Sequence, residues 1–294
     1  MSEQPLRAGV IGLGIMGGGM AVCLARSAHH LSVFDIAPDA ARQWDDGHLV
    51  PAVEKNCADV ARKSDVIMIV VVNAQQIWSV FNGPEGLLAG AHKDLVVVIC
   101  STIAMAELIE LQATAAAAGI TLVDCGVTCP PGEHTKKRIV GMVGAEPEVY
   151  QRIQPVLEAF TQKVFLMGGP GAGMTTKIVR NMMYYASWRA AYEAKKLAEG
   201  MGGVDLANMA EINALSEADG SGSTFWLRCW AAGDYHPVGN MAKRDHVTQG
   251  LIKDLSAAKE LAELAGLDIP IMDIMLNEPE QTTSAWSADK SNEA

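Results

Sequence analysis

Short apolar runs alternate with helix-spaced apolar positions through the first 170 residues, and only helix patterns follow. Gly9-Val10-Ile11 enters the turn Gly12-Leu13-Gly14-Ile15-Met16-Gly17, and Met16, Met20, Ala21, Leu24 and Ala25 leave it at helical spacing. Apolar runs at 31–34, 65–72, 95–100, 121–125, 139–143 and 164–167 predict further strands. The aliphatic stretch 66–72 suits a strand buried on both faces. Helices are predicted over 75–81, 107–118 and 147–159, with a short helix or turn at 58–63. Gly119 stops the second of these, and 126–138 reads as an unusual loop. Such alternation predicts an α/β domain with a doubly wound sheet.

From Gly171 the texture changes. A long helix is predicted over 174–199, ended by Gly200, Gly202 and Gly203. Further helices follow over 205–215, with Asp205 as N-cap, and over 251–265 and 271–277. No strand is expected after Phe165. The reading is an N-terminal doubly wound domain (1–170) and an all-α C-terminal domain (171–281), joined by the long helix. The polar tail 282–294 is expected to be disordered.

The first turn has the G-x-G-x-x-G spacing in its required place, after a strand and opening a helix, as in a Rossmann domain. Gly12 permits the turn, Gly14 lets backbone approach a pyrophosphate, and Gly17 allows close helix–strand packing. Leu13, Ile15 and Met16 complete this cofactor loop, and the helix N-terminus offers N–H groups to phosphate. The second run ends in Asp35, about 20 residues on, where an acid receives the ribose diol. A carboxylate there repels a 2′-phosphate, and no arginine follows directly, which favours NAD over NADP. Arg42 is the nearest residue that argues the other way. Ligands in such sheets lie beyond the strand carboxyl ends. Val71, Val72, Asn73, Ser101, Thr102 and Thr128 are expected there with Gly12, Gly14 and Asp35.

Composition narrows the partners. The 294 residues are 49% hydrophobic and carry a formal net charge of −11, enough apolar material for a sizeable core. Lys136-Lys137-Arg138 is the one tight basic cluster, so nucleic acid is not an expected partner. The polar opening lacks a signal-peptide pattern, and no apolar stretch is long enough to span a bilayer. Six scattered cysteines (Cys23, Cys57, Cys100, Cys125, Cys129, Cys229) read as buried thiols in a reducing compartment, and no spacing suggests a metal site. The expectation is a cytoplasmic protein.

Lys177 and Asn181 stand i, i+4 in the long helix, after Gly171-Ala172-Gly173. On their own they could be a surface lysine and an unrelated amide. With Gly12-Leu13-Gly14-Ile15-Met16-Gly17, Ser101-Thr102-Ile103, the block from Gly171 to Lys177 and Asn181, and Lys253-Asp254-Leu255, they change meaning. In this order the four blocks resemble the β-hydroxyacid dehydrogenase family, which includes 3-hydroxyisobutyrate dehydrogenase and tartronate semialdehyde reductase. The resemblance implies hydride transfer between nicotinamide and a 3-hydroxy acid or related alcohol or aldehyde. It makes Lys177 the general acid/base, Asn181 a substrate-holding amide and Lys253 a cofactor or substrate contact. It requires no metal. Lysine serves in this way when its surroundings bring its proton affinity toward the working pH. The Ala- and Met-rich helical domain suggests a homodimer or homotetramer.

The departures fall where substrate is expected. The family's Asp-Ala-Pro-Val-Ser-Gly-Gly loop reads Asp124-Cys125-Gly126-Val127-Thr128-Cys129-Pro130 here. Thr128 keeps a hydroxyl and Cys129 an N–H, but Pro130 has none to offer a carboxylate. Arg180 stands where asparagine is common, and His246 where phenylalanine is often seen seven residues before Lys253. Thr128, Cys129, Pro130, Lys177, Asn181 and His246 form the expected substrate set, suited to a small-molecule substrate larger or more anionic than the family's usual 3-hydroxy acids. His134, Lys136 and Lys137 face either that substrate or solvent. The alternatives are an imine reductase-like enzyme, against which Lys177 speaks, and a dinucleotide-binding protein without turnover.

Overall fold

The computed structural model describes residues 5–44, 52–201, 204–216, 241–265 and 270–279. They form two compact units, Met1–Lys177 and Ile178–Ala294. The expected polar tail, Cys229, and Gly202 and Gly203 lie outside the described residues, while Gly200, expected to end the long helix, lies within it.

The first unit is built on an eight-stranded sheet: β1 (Arg7–Ile11), β2 (His30–Phe34), β3 (Ala52–Val53), β4 (Val66–Ile69), β5 (Val96–Ile99), β6 (Thr121–Thr128), β7 (Ile139–Gly144) and β8 (Thr161–Gly168). Their spatial order is β3-β2-β1-β4-β5-β6-β7-β8. Every pairing is parallel except β6 with β7. Helices α1 (Ile15–Ala25), α2 (Cys57–Lys63), α3 (Ala74–Phe81), α4 (Leu87–Gly90), α5 (Met105–Ala117) and α6 (Pro147–Phe160) connect the strands. Residues of β4 and β5 are buried throughout, as their unbroken aliphatic sequence requires. Val10, Met68, Val98, Val123, Leu24, Ile153 and Phe160 belong to the continuous core against which α1 and α6 pack.

Two strand ends differ from the expectation. The run expected to reach Val72 leaves the sheet after Ile69. The Val71 N–H donates to Ser101 Oγ (2.9 Å) and the Val72 N–H to Gln76 Oε1 (2.9 Å), so side chains replace the ladder there. Conversely, 126–128 is strand rather than loop, because Gly126, Val127 and Thr128 pair with Met142, Gly141 and Val140 of the reversed strand β7. Thr128 therefore ends a strand instead of following one.

The long helix α7 runs over Ala172–Met201 and crosses the boundary between the units. The second unit contains α8 (Leu206–Ser216), α9 (Met241–Ala265) and α10 (Pro270–Asn277). Asp205 caps α8 through the Ala207 and Asn208 N–H groups. Helix α9 begins ten residues before the predicted Leu251. No strand follows Gly168 among the described residues.

Candidate active site

A cleft of about 780 Å³ opens where the strand order reverses, at the carboxyl ends of β1 and β4. That reversal separates two crossovers to opposite faces of the sheet and leaves a crevice between them. Gly12, Gly14, Asp35, Val71 and Val72 line it, as do Ile36, Asn56, Gln76, Ser79 and Val80, which the sequence did not single out. Gly12 has φ +93°, and a Cβ there would overlap the Val70 carbonyl. A Cβ on Gly17 would overlap the Gly12 carbonyl, so close packing holds the turn. Nothing lies within 4 Å of where a Gly14 Cβ would be, and this open face is the approach for a phosphate. Gly14 caps α1 without a side-chain hydrogen bond. Uncapped first-turn N–H groups and the helix dipole suit an anion.

Asp35 is held by the turn it serves. Its Oδ2 accepts from the Leu13 N–H (2.6 Å) and its Oδ1 from the Ala37 N–H (2.8 Å). Each carboxylate oxygen keeps acceptor capacity for a ribose hydroxyl. Ile36, 84% exposed, brings no cation beside it. These residues fit an NAD adenosine half. Cys57 also lines the cleft, and burial pushes its thiol up to about 11, which keeps it protonated at neutral pH.

Other expected cofactor residues of this unit have different surroundings. Leu13 is buried, and its carbonyl accepts from Trp44 Nε1 (2.8 Å). Ile15 is exposed and Met16 packs against the core. Asn73 caps α3 by accepting from the Gln76 N–H (2.9 Å), and Thr102 is buried. None of these lines the cleft.

Lys177 owes its position to a carboxylate not assigned a role from sequence. Asp124, fully buried on β6, accepts from the Gly171 N–H (2.7 Å) and the Met174 N–H (2.6 Å) at the start of α7. Burial raises its pKa, and the backbone donors oppose that rise. A Cβ on Gly173 would overlap the Met142 carbonyl, and one on Gly126 would overlap Lys177 Cβ. Backbone therefore lies against backbone, and the lysine stem rests on β6 two residues before Thr128. Thr128 and Cys129 are half-buried and Pro130 is exposed. Burial, then the charge of Glu133, pushes the Cys129 thiol up to about 11.

In the second unit Asn181 is 4% exposed and is held at both ends of its amide. Nδ2 donates to Asp254 Oδ2 (2.6 Å), and Oδ1 accepts from Arg180 Nη1 (3.1 Å). Tyr185 Oη donates to the same Asp254 oxygen (3.0 Å). Burial, then the Asp254 charge, raises the Tyr185 pKa. Lys253 Nζ stands 3.5 Å from the other Asp254 oxygen, which makes no hydrogen bond among the described residues. Asp254 thus joins Asn181 and Lys253. His246 is exposed on the same helix, about two turns earlier.

The unusual loop after Cys129 packs on α1. A Cβ on Gly18 would overlap the Trp44 indole, and one on Gly19 would lie 2.8 Å from both Cβ and the carbonyl of His134. The His134 carbonyl accepts from Cys23 Sγ (3.8 Å), and the Thr135 carbonyl from Arg26 Nη1 (3.2 Å). The His134 ring meets Trp44 edge-on at 5.5 Å. His134 is therefore a half-buried roof over α1, whereas Lys136 and Lys137 are exposed and Lys136 pairs with Glu133 (2.7 Å). No group of three His, Cys, Asp or Glu residues suited to a metal occurs among the described residues. No helix among them is long and apolar enough to cross a membrane.

Sheet order, the glycine turn and the acid just after β2 define a dinucleotide-binding α/β domain. Residues 7–169 match the family of the NAD binding domain of 6-phosphogluconate dehydrogenase. An uncharacterised oxidoreductase of Mycobacterium tuberculosis is 33% identical over 277 residues, covering 93% of this chain and 92% of its own. The 3-hydroxyisobutyrate dehydrogenase of Pseudomonas aeruginosa is 31% identical over 234 residues, covering 77% and 72%. The crystal structure of a 3-hydroxyisobutyrate dehydrogenase from Salmonella typhimurium shares the fold, with a TM-score of 0.81 at 23% identity, over 96% of this chain and 99% of that one. The chain belongs to the β-hydroxyacid dehydrogenase family and is an NAD-linked oxidoreductase.

Proposed function

We propose that the protein interconverts a small anionic 3-hydroxy acid, or a related alcohol, and its carbonyl partner. Lys177 is the general acid/base. The observation that carries this reading is the seating of Lys177: its stem rests on Gly126, and Asp124 holds the first turn of its helix. A lysine whose stem is so fixed has the positional definition that proton transfer requires.

When bound, NAD supplies the hydride acceptor. Lys177 takes the proton from the substrate hydroxyl during oxidation and returns it to the developing alkoxide during reduction. Thr128 and Asn181 orient the substrate through hydroxyl and amide, and Lys253 adds a cation for an anionic ligand. Residues 1–170 serve as the cofactor domain, and 171–281 as the helical substrate and oligomerisation domain. On this reading the enzyme acts in the cytoplasm as a homodimer or homotetramer.

The test is NADH formation at 340 nm with NAD and a panel of 3-hydroxy acids, 3-hydroxy amino acids and sugar acids. Activity that disappears in Lys177→Ala, with NAD binding intact by calorimetry, supports the assignment. NAD binding without turnover across the panel would instead favour a dinucleotide-binding protein that lacks catalysis.

A further inference from the structure

Arg180 differs in its surroundings from the next arginine on α7. Arg189 pairs with Glu278 at 3.2 Å. Arg180 is half-buried yet forms no ion pair among the described residues. Its guanidinium lies over the Tyr184 ring, 4.1 Å from the centroid, and Nη1 donates to Asn181 Oδ1 at 3.1 Å. Burying a guanidinium without a counter-charge is costly, so such groups are ordinarily paired. Stacking occupies one face of the fork and leaves its in-plane N–H donors available. One is spent on Asn181, and the remainder match the two oxygens of a carboxylate.

The neighbouring acid does not supply the missing charge. Asp254 Oδ2 already accepts from Asn181 and Tyr185, and Oδ1 faces Lys253. The opposed demands of Asp254 and Arg180 also fix the Asn181 amide: the carboxylate requires its N–H and the guanidinium its oxygen. Arg180 therefore both orients Asn181 and offers unspent donors beside it.

We propose that Arg180 is a specificity-determining residue that binds the oxyanion of the substrate, supplying in-plane donors for a carboxylate. This rests on the dehydrogenase reading above and adds the group that recognises the acid.

The experiment compares wild-type, Arg180→Met and Arg180→Lys proteins. Met keeps an aliphatic stem against Tyr184, and Lys keeps charge without the fork. Probes are 3-hydroxypropionate, 3-hydroxypropane-1-sulfonate and neutral methyl 3-hydroxypropionate. Each is tested for turnover with NAD and for direct binding to the NADH-loaded protein by calorimetry. The loss of charge-assisted hydrogen bonds in Arg180→Met should weaken 3-hydroxypropionate about 10- to 100-fold in KM or Kd. The ester should change less than about twofold, and Lys should recover part of the loss for the acid. A larger effect on the sulfonate than on the carboxylate would overturn the carboxylate assignment. Equal losses for acid and ester, or a wild-type protein that binds no acid more tightly than the ester, would overturn the proposal itself. Acid binding that depends on Arg180 without turnover of any probe would sustain the proposal and count against the catalytic reading instead.

Discussion

Asn181 Nδ2 and Asp254 Oδ2 lie 2.6 Å apart, joining residues 73 positions distant in sequence through a contact buried on both sides. Asp254→Ala would leave the Asn181 amide and the Tyr185 hydroxyl without their acceptor, at a cost of about 2–4 kcal/mol in folding stability. Asp254→Asn can keep its carbonyl oxygen on both donors, but it loses the Lys253 ion pair and turns an NH2 toward that cation, which costs about 1–2 kcal/mol. Chemical denaturation of the two variants measures the difference. Equal losses would show that the pair of donors is not what Asp254 serves.

Gly126 is the floor under Lys177. Gly126→Val would push the lysine stem away, because even a Cβ there overlaps it. Displacing a reacting group by about 1 Å can cost about 100-fold in rate, so kcat should fall about 10- to 100-fold. NAD affinity should stay within about twofold, since the cleft lining does not include this residue. Parallel steady-state kinetics and calorimetry check both halves.

Asp124 gives a pH-dependent signature. Its folded pKa is raised, chiefly by burial, so the native protein binds this proton more strongly than the unfolded chain does. Its contribution is therefore fully present below the ordinary carboxylate value and declines as pH rises through the folded value. Asp124→Asn removes this slope and loses one of two backbone-donor contacts, at about 1–3 kcal/mol. Its destabilisation relative to wild type should be larger below the transition than above it. Denaturant titrations at a series of acidic pH values would reveal a flat difference if Asp124 is not the titrating group.

Asp35 should decide cofactor choice. Asp35→Ala removes the acceptor for the ribose diol and should weaken NAD about 10- to 100-fold. NADP should lose less or gain, because the repulsion of its phosphate goes as well. Fluorescence titration with both dinucleotides measures the ratio. An unchanged ratio would mean that Asp35 holds only Leu13 and Ala37.

Much of the cofactor half was legible in sequence because its chemistry is local. Gly12, Gly14 and Asp35 sit at strand ends whose apolar runs are continuous, and strand order then brings them together. Ile36, Gln76 and Ser79 carry no motif and enter the cleft only through tertiary placement. The end of β4 was misplaced because Val70, Val71 and Val72 read as strand, while two side-chain hydrogen bonds divert the backbone. The extent of β6 was missed because its partner, β7, lies beyond a loop, and antiparallel pairing has no local signal in Gly126-Val127-Thr128. The family resemblance, not the i, i+4 spacing alone, singled out Lys177 and Asn181, and it assigned no role to the carboxylates that fix them. Asp124 and Asp254 are ordinary acids until long-range contacts reveal what each accepts.

The glycine run of α1 has a consequence for how the chain matures. Gly17, Gly18 and Gly19 each disfavour helix by about 1 kcal/mol relative to alanine, so this segment has little reason to coil alone. Its shape is stabilised from outside, by Trp44 and by a His134 segment whose contact with Cys23 spans 111 positions. Such distant closure is slow to form. The phosphate cradle is thus expected to assemble late, and a nascent chain that ends before the His134 segment emerges should be unable to retain its dinucleotide.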